Sequence, residues 1–205
     1  MKLYYAKGAC SVGIHVILAE IGKPYDVQVV SFADQEQYGE AYKAINPKSK
    51  VPTLVRDDKS ILTEFQAIAM YLALTAPDKK LVPTDPDGLA RCLEVMDYVV
   101  ATIHMQGFAR LFRPGNFGPD DALHEQVKTR GRDIAEKGFA LMDKKLAGKD
   151  YVLGAFSIAD AALFYVEYWA VRVMKLPLPA NCQRHFETML ARPAVKAALT
   201  AEGLA

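Results

Sequence analysis

Hydrophobic and polar positions change rhythm once along this chain. Up to residue 78, short alternating runs are interleaved with helical spacing. Leu3-Tyr4-Tyr5 is strand-like and leads into a glycine-containing loop from Ala6 to Cys10. Val12, His15, Val16 and Ala19 then recur at helical spacing, with Ser11 placed to cap the helix and Gly22-Lys23-Pro24 placed to stop it. Tyr25 to Val30 alternates as a strand does. A polar, weakly helical stretch from Gln35 to Ile45 closes on Asn46-Pro47. Val51 to Val55 and Ser60 to Leu62 flank the turn Asp57-Asp58-Lys59, which predicts a β-hairpin. Thr63 or Glu64 opens a third helix that runs to Ala76 and ends at Pro77.

The resulting order of βαβ, helix, ββ, helix predicts a thioredoxin-like α/β domain over residues 1–78. Residues 79–87 hold two prolines and little periodicity, and read as a linker. From residue 88 to 205 the strand signals vanish and an all-helical (all-α) domain is predicted. Leu89 to Phe112 carries apolar residues at 89, 93, 96, 99, 100 and 103, and a further helix spans about Asp120 to Leu146. Ser157 to Val173 is almost wholly apolar, which implies burial on every side. Shorter helices follow Asn181 and Pro193.

Composition narrows the function classes. The chain has 205 residues, with 25 basic and 24 acidic side chains. Near-neutrality argues against a nucleic-acid partner or an anionic membrane, since both select a positive excess. No run approaches the roughly 18 apolar residues of a membrane helix, and the opening Met1-Lys2-Leu3-Tyr4-Tyr5 is too polar for a signal peptide. Three widely spaced cysteines, Cys10, Cys92 and Cys182, make neither a disulfide framework nor a C-x-x-C pair. The expected location is the reducing cytoplasm, and no metal is expected.

Cys10 falls between a strand end and a helix start, where unpaired N–H groups and the helix dipole favour a thiolate. A proline entering a strand, as in Val51-Pro52, belongs at an edge or in a cis turn that frees the Val51 peptide to pair with an extended ligand. Thr63-Glu64 opens a helix, where such a pair is more commonly a plain helix cap; otherwise nearby N–H groups can hold a carboxylate while Glu64 holds an ammonium. Ser157-Ile158-Ala159-Asp160 is a capping-box variant with a structural role. His15 and His104 are candidate proton carriers, although a histidine on a half-buried helix is more often simply satisfied by a hydrogen bond.

These residues, taken with Gly8-Ala9-Cys10-Ser11, Asn46-Pro47-Lys48, Leu62-Thr63-Glu64, Leu111-Phe112-Arg113-Pro114, Ile158-Ala159-Asp160, Trp169-Ala170 and Ala201-Glu202-Gly203-Leu204, resemble the beta class of bacterial glutathione transferases over essentially the whole chain. The resemblance implies a glutathione transferase acting on small hydrophobic electrophiles in detoxification, with glutathione as co-substrate. It implies that glutathione binds along Cys10, Val51, Pro52, Glu64 and the backbone of Phe65, with Tyr5, Ser11 and His104 lining the same catalytic pocket. Asp97 would reach the glutathione of the neighbouring subunit, so a homodimer is implied. Phe108, Leu111, Phe112, Tyr165 and Trp169 would line the hydrophobic substrate site.

Two positions depart from the family pattern. Phe65 stands where a small residue, often serine, is usual, and Met105 replaces a frequent lysine. Besides conjugation, Cys10-dependent thiol–disulfide exchange is open to such a site. The alternative is a non-catalytic interaction module of the same fold.

Overall fold

Leu3 and Tyr5 are buried while Lys2 and Tyr4 are partly exposed, the two-residue alternation that seats β1 (Lys2–Tyr5) in a sheet. The chain crosses through α1 (Ser11–Ile21) to β2 (Asp26–Val29), which pairs parallel to β1. A 3-10 turn at Glu36–Tyr38 and the short α2 (Glu40–Lys43) precede β3 (Thr53–Val55) and β4 (Ile61–Thr63). Both β1–β3 and β3–β4 are antiparallel, giving the sheet order β2-β1-β3-β4. The thioredoxin-like arrangement expected from the element order is therefore the one observed.

The computed structural model describes all residues, Met1–Ala205, in two compact units. One contains Met1–Pro83 and Met189–Ala205, and the other Thr84–Thr188. Helical periodicity alone had assigned everything from residue 88 onward to one domain. The difference has a physical cause. In the first unit α1 is covered by β1 and α3 (Phe65–Thr75), and also by α9 (Pro193–Ala201), so Ser11 to Leu18 is buried on all sides. Arg192, at the start of α9, reaches Glu20 of α1 with Nε 2.7 Å from Oε1. The linker is also shorter than expected. Pro77–Lys79 forms a 3-10 turn, and α4 (Pro86–Asp97) starts at Pro86 because the Asp85 carboxylate caps Gly88 N–H at 2.8 Å.

Along α3 the buried positions are Phe65, Ile68, Ala69, Leu72 and Ala73, one helical stripe that begins with the phenyl ring. Phe65 is thus a core residue of the first unit.

In the second unit α4 continues through Tyr98–Phe108, wound with the wider i→i+5 pattern, into α5 (Ala109–Phe112). Val99, Ile103, Gly107 and Leu111, four residues apart, are buried along it. They face α6 (His124–Lys145), whose Gly131, Ala135 and Gly138 form a seam of small residues. A Cβ on Gly131 would stand 2.7 Å from Gly107 O, and one on Gly138 would stand 2.5 Å from Ile103 Cγ1. The two helices therefore approach to backbone contact. No helix is long and apolar enough to cross a membrane.

α7 (Ile158–Tyr168) is buried along its whole length, as its composition predicted, and passes into a wide turn at Trp169–Val173. Asp160 accepts from Ser157 N at 2.7 Å, Ser157 Oγ at 3.0 Å and Val152 N at 2.8 Å. It also meets His185 of α8 (Ala180–Ala191), with Nε2 3.2 Å from Oδ1, while His185 Nδ1 lies 2.8 Å from Glu167. Burial opposes charge on that imidazole, but the carboxylates of Glu167 and Asp160 outweigh it and raise its pKa to about 10. The cap is therefore one corner of a buried ionic cluster.

Two stability predictions follow. Asp160→Ala uncovers a buried imidazolium as well as a helix end, so urea unfolding should show a loss of about 3–5 kcal/mol, the range for breaking a buried pair from one side. A loss below 1 kcal/mol would leave the cluster without structural weight. Phe65→Ser opens a cavity in the α3 stripe and should cost about 3–5 kcal/mol, as large-to-small core changes do. Unchanged stability together with tighter glutathione binding would show instead that the ring displaces a ligand group.

Candidate functional site

The sheet's pairing gathers residues that lie far apart in sequence. Tyr4 is opposite Thr53, and Thr53 is opposite Thr63. One residue further along each strand, Tyr5, Pro52 and Glu64 therefore reach the same end of the sheet. The loop from Ala6 to Cys10 leaves that end and turns into α1. The Val51–Pro52 peptide is cis. Cys10 Sγ donates to Val51 O at 3.5 Å, joining the two strongest sequence candidates directly.

The state of Cys10 differs from the sequence expectation. The residue is only partly exposed, and burial of its sulfur pushes the thiol up to about 12. The backbone N–H groups of Cys10 and Ser11 and the charge of Lys50 pull it down, and Glu202 pushes it up. The helix dipole acts in the anticipated direction, but desolvation outweighs it. Cys10 in this state is a thiol and a donor.

Ser11 does not cap α1. It is the first helical residue and is fully buried, and its hydroxyl binds Ala6 twice, donating to the carbonyl at 3.2 Å and accepting from N–H at 3.3 Å. Tyr5 is buried against His15, ring centroids 5.7 Å apart, and burial followed by the charge of Glu202 raises its phenol pKa. Both residues shape the Cys10 loop from behind. Glu64 is exposed and left-handed in backbone (φ 73°), a strained conformation for a residue with a side chain, worth on the order of 1–3 kcal/mol. Lys48 Nζ holds Glu64 Oε1 at 2.5 Å and Thr63 Oγ1 at 2.9 Å, so the carboxylate already carries an ammonium partner of the kind expected.

Two supports of this site escaped sequence reasoning. Glu202, from the chain's last turn, is buried and accepts from Gly8 N–H at 2.9 Å and His15 Nδ1–H at 3.0 Å. The Lys50 carbonyl, just before the cis peptide, accepts from Tyr42 OH at 2.7 Å and Asn46 Nδ2 at 2.8 Å. Thr53 Oγ1 completes that buried cluster, 2.9 Å from Asn46 Nδ2 and 3.0 Å from Tyr42 OH. In the sequence these two supports show only as motifs without a role, Asn46-Pro47-Lys48 and Ala201-Glu202-Gly203-Leu204.

In the second unit the aromatic candidates form one cluster. Trp169 lies 4.7 Å from His104, 5.0 Å from Tyr165, 5.3 Å from Phe112 and 5.4 Å from Phe108, measured between ring centroids. His104 Nδ1 is 3.2 Å from Tyr165 OH. Phe112 is 40% exposed while Phe108 and Tyr165 are fully buried, so Phe112 is the cluster's accessible edge. The two wide-wound segments carry His104, Phe108 and Trp169. Leu111 turns instead toward Gly131 of α6. Asp97 and Met105 are exposed on the α4 rod and its continuation.

Family models extend over most of the chain: the glutathione S-transferase N-terminal domain matches residues 8–75, and the glutathione S-transferase C-terminal domain matches residues 125–200. Glutathione S-transferase GstA of Escherichia coli O157:H7 is 37% identical, with both chains fully covered. A solved glutathione transferase homologue from Sulfitobacter with bound glutathione superposes with a TM-score of 0.89 at 32% identity, covering 100% of this chain and 98% of that one. The bacterial beta-class glutathione S-transferase of Sphingomonas chungbukensis superposes with a TM-score of 0.85 at 31% identity, with both chains fully covered. With its thioredoxin-like sheet, its helical second unit and full-length similarity of this degree, the chain belongs to the glutathione S-transferase family.

Proposed function

We propose that this protein is a beta-class glutathione transferase that joins the glutathione thiol to small hydrophobic electrophiles. The observation that carries the reading is the contact of Cys10 with Val51 beside the cis Val51–Pro52 peptide, at the sheet end where Glu64 also stands. The Val51 peptide beside the cis bond suits the backbone of an extended peptide, and the Lys48–Glu64 pair suits its charged γ-glutamyl end. The residues present fit glutathione through backbone and charge; the Phe65 ring takes no part.

Catalysis by conjugation requires a glutathione thiolate. Lowering a free thiol pKa from about 8.5 to about 6.5 takes roughly 3 kcal/mol of preferential stabilisation, which a few aimed hydrogen bonds supply. Cys10, held as a thiol, is one such donor: its S–H, now on Val51 O, can turn toward a neighbouring sulfur. His104, oriented by Tyr165 and Trp169, is the proton-carrying group of the second unit. Phe108, Phe112, Tyr165 and Trp169 offer apolar surface to the electrophile, with Phe112 at its entrance and Leu111 behind as support. Disulfide exchange is the slower route, because a thiol with so high a pKa is rarely ionised at neutral pH.

The protein acts in the cytoplasm as a homodimer, in which Asp97, exposed on α4, completes the partner's site. Light scattering at micromolar concentration should give about twice the 22.6 kDa chain mass. A monomer that conjugates at full rate would remove the shared site.

The assignment of Cys10 is tested by Cys10→Ala. Conjugation to an aryl halide should survive in part, since the nucleophile is the glutathione sulfur, whereas exchange with oxidised glutathione should be lost. In the wild type, labelling of Cys10 by iodoacetamide should still be rising above pH 10, as a thiol pKa near 12 requires. A plateau by about pH 8.5, the range of an ordinary cysteine, would mean that Cys10 is a poised thiolate and exchange the main chemistry.

A further inference from the structure

We propose that the outer edge of the first unit's sheet, strand β2 with the hollow beside α2, docks an extended segment of another protein in which apolar and basic residues alternate. β2 is the end strand in the order β2-β1-β3-β4, so only one of its edges is paired. Asp26 N–H donates to Met1 O at 3.0 Å and, just past the strand, Val30 N–H donates to Tyr5 O at 2.7 Å, so the even-numbered residues turn toward β1. Val27 and Val29 lie between them and turn their N–H and C=O groups outward. Val29 O accepts from Gln28 Nε2 at 3.4 Å, a long contact that an incoming amide can replace. Such an edge pairs with a further strand unless something blocks it, and Asp26-Val27-Gln28-Val29 has no lysine or proline to do so.

The two faces of β2 ask for different side chains. Val27 and Val29 stand opposite Leu3 and Tyr5 in the register and are 41% and 45% exposed, two apolar side chains on one face that an added strand would cover. Gln28 stands opposite Tyr4 on the other face, where a hollow of about 340 Å³ opens between the sheet and α2. Tyr4, Tyr42 and Ile45 give this hollow an apolar wall, and its charged lining residues are Glu36 and Glu40. Glu36 lends Oε2 to Ser31 N–H at 2.7 Å, and Glu40 is exposed on α2. Lys2 Nζ already lies over the Tyr4 ring at 5.1 Å, so an incoming cation is drawn to the carboxylates instead. An apolar wall that ends in carboxylates fits the aliphatic stem and cationic head of a lysine or arginine. Successive side chains of a strand point to opposite faces, so one segment satisfies both when apolar and basic residues alternate.

A second copy of this chain suits the edge less well. Antiparallel pairing of two β2 strands about Gln28 sets Asp26 of one copy beside Val30 of the other, which brings a carboxylate to the acidic hollow. None of Val27, Val29 or Glu40 belongs to the proposed glutathione site, so this inference stands or falls apart from the transferase reading.

The test is fluorescence anisotropy of the full-length protein with a short labelled peptide of alternating lysine and valine, blocked at both ends. Saturable binding in the micromolar range is expected, with amide exchange at Val27 and Val29 slowed in the complex. Replacing the lysines by glutamates should weaken binding by about tenfold or more. So should N-methylation throughout, which keeps the side chains and the charge but removes every N–H the edge could bind. Val29→Lys puts a charge on the apolar face and Glu40→Lys reverses the rim; both side chains are exposed, so neither change reaches the core. Each should weaken the lysine peptide by roughly tenfold, and Glu40→Lys should gain affinity for the glutamate peptide. Conjugation of an aryl halide should keep its wild-type rate in both variants. Undiminished binding of the N-methylated peptide, or wild-type affinity in Val29→Lys, would overturn the proposal. Growth of the unliganded protein beyond a dimer in sedimentation, abolished by Val29→Lys, would also overturn it, because the occupant would then be a second copy.

Discussion

Glu202 is the constraint on which the first unit turns. It comes from the end of the chain, is buried, and spends both oxygens on groups that belong to the start: Gly8 N–H, two residues before Cys10, and His15 in α1. A buried carboxylate is tolerated only when hydrogen-bonded, so the tail, the Cys10 loop and α1 must assemble together or leave a charge stranded. The same charge sets the tone of the site. It raises the pKa of the Cys10 thiol and of the Tyr5 and Tyr25 phenols, adding to burial in each case. The loop is thereby held firmly, at the expense of thiolate character.

That outcome recasts the chemistry of Cys10. A helix N-terminus favours an anion, yet the effect is confined to the first turn and is modest beside the desolvation of a sulfur packed against Val51. The protein gains a donor where a nucleophile was anticipated. Conjugation benefits from such a donor; exchange does not. The proposed preference for conjugation over exchange thus rests on how deeply one sulfur is buried.

The second unit is organised by a different device. Gly131, Ala135 and Gly138 let α6 approach the long helix to backbone contact, and the long helix runs through a widened stretch that carries His104 and Phe108. Asp160, His185 and Glu167 then lock α7 from its buried side. Glu167 leaves one oxygen without a partner, and burial raises its pKa while the charge and hydrogen bond of His185 lower it. Close helix packing fixes the aromatic cluster, and the ionic corner fixes the helix that supplies Tyr165 and Trp169.

Much of this was legible in the sequence. The alternation of Leu3 and Tyr5, the hairpin around Asp57-Asp58, the stop at Gly22 and the capping pair Ser157 and Asp160 are local signals, because turns, caps and strand faces are decided within a few residues. The resemblance carried by Cys10, Val51-Pro52 and Glu64 pointed to the family. Tertiary structure alone decided the rest. Only strand pairing could bring Tyr5, Pro52 and Glu64 to one end of the sheet. Only packing could show that Phe65 heads the buried stripe of α3, or that Ser11 faces Ala6 instead of capping α1. Asp143 of α6 caps α8 through Asn181 N at 2.6 Å, a cap with no local signature at all. Charge and burial act through space, so His185 between two carboxylates, and Glu202 beneath the Cys10 loop, exist only once the chain has folded.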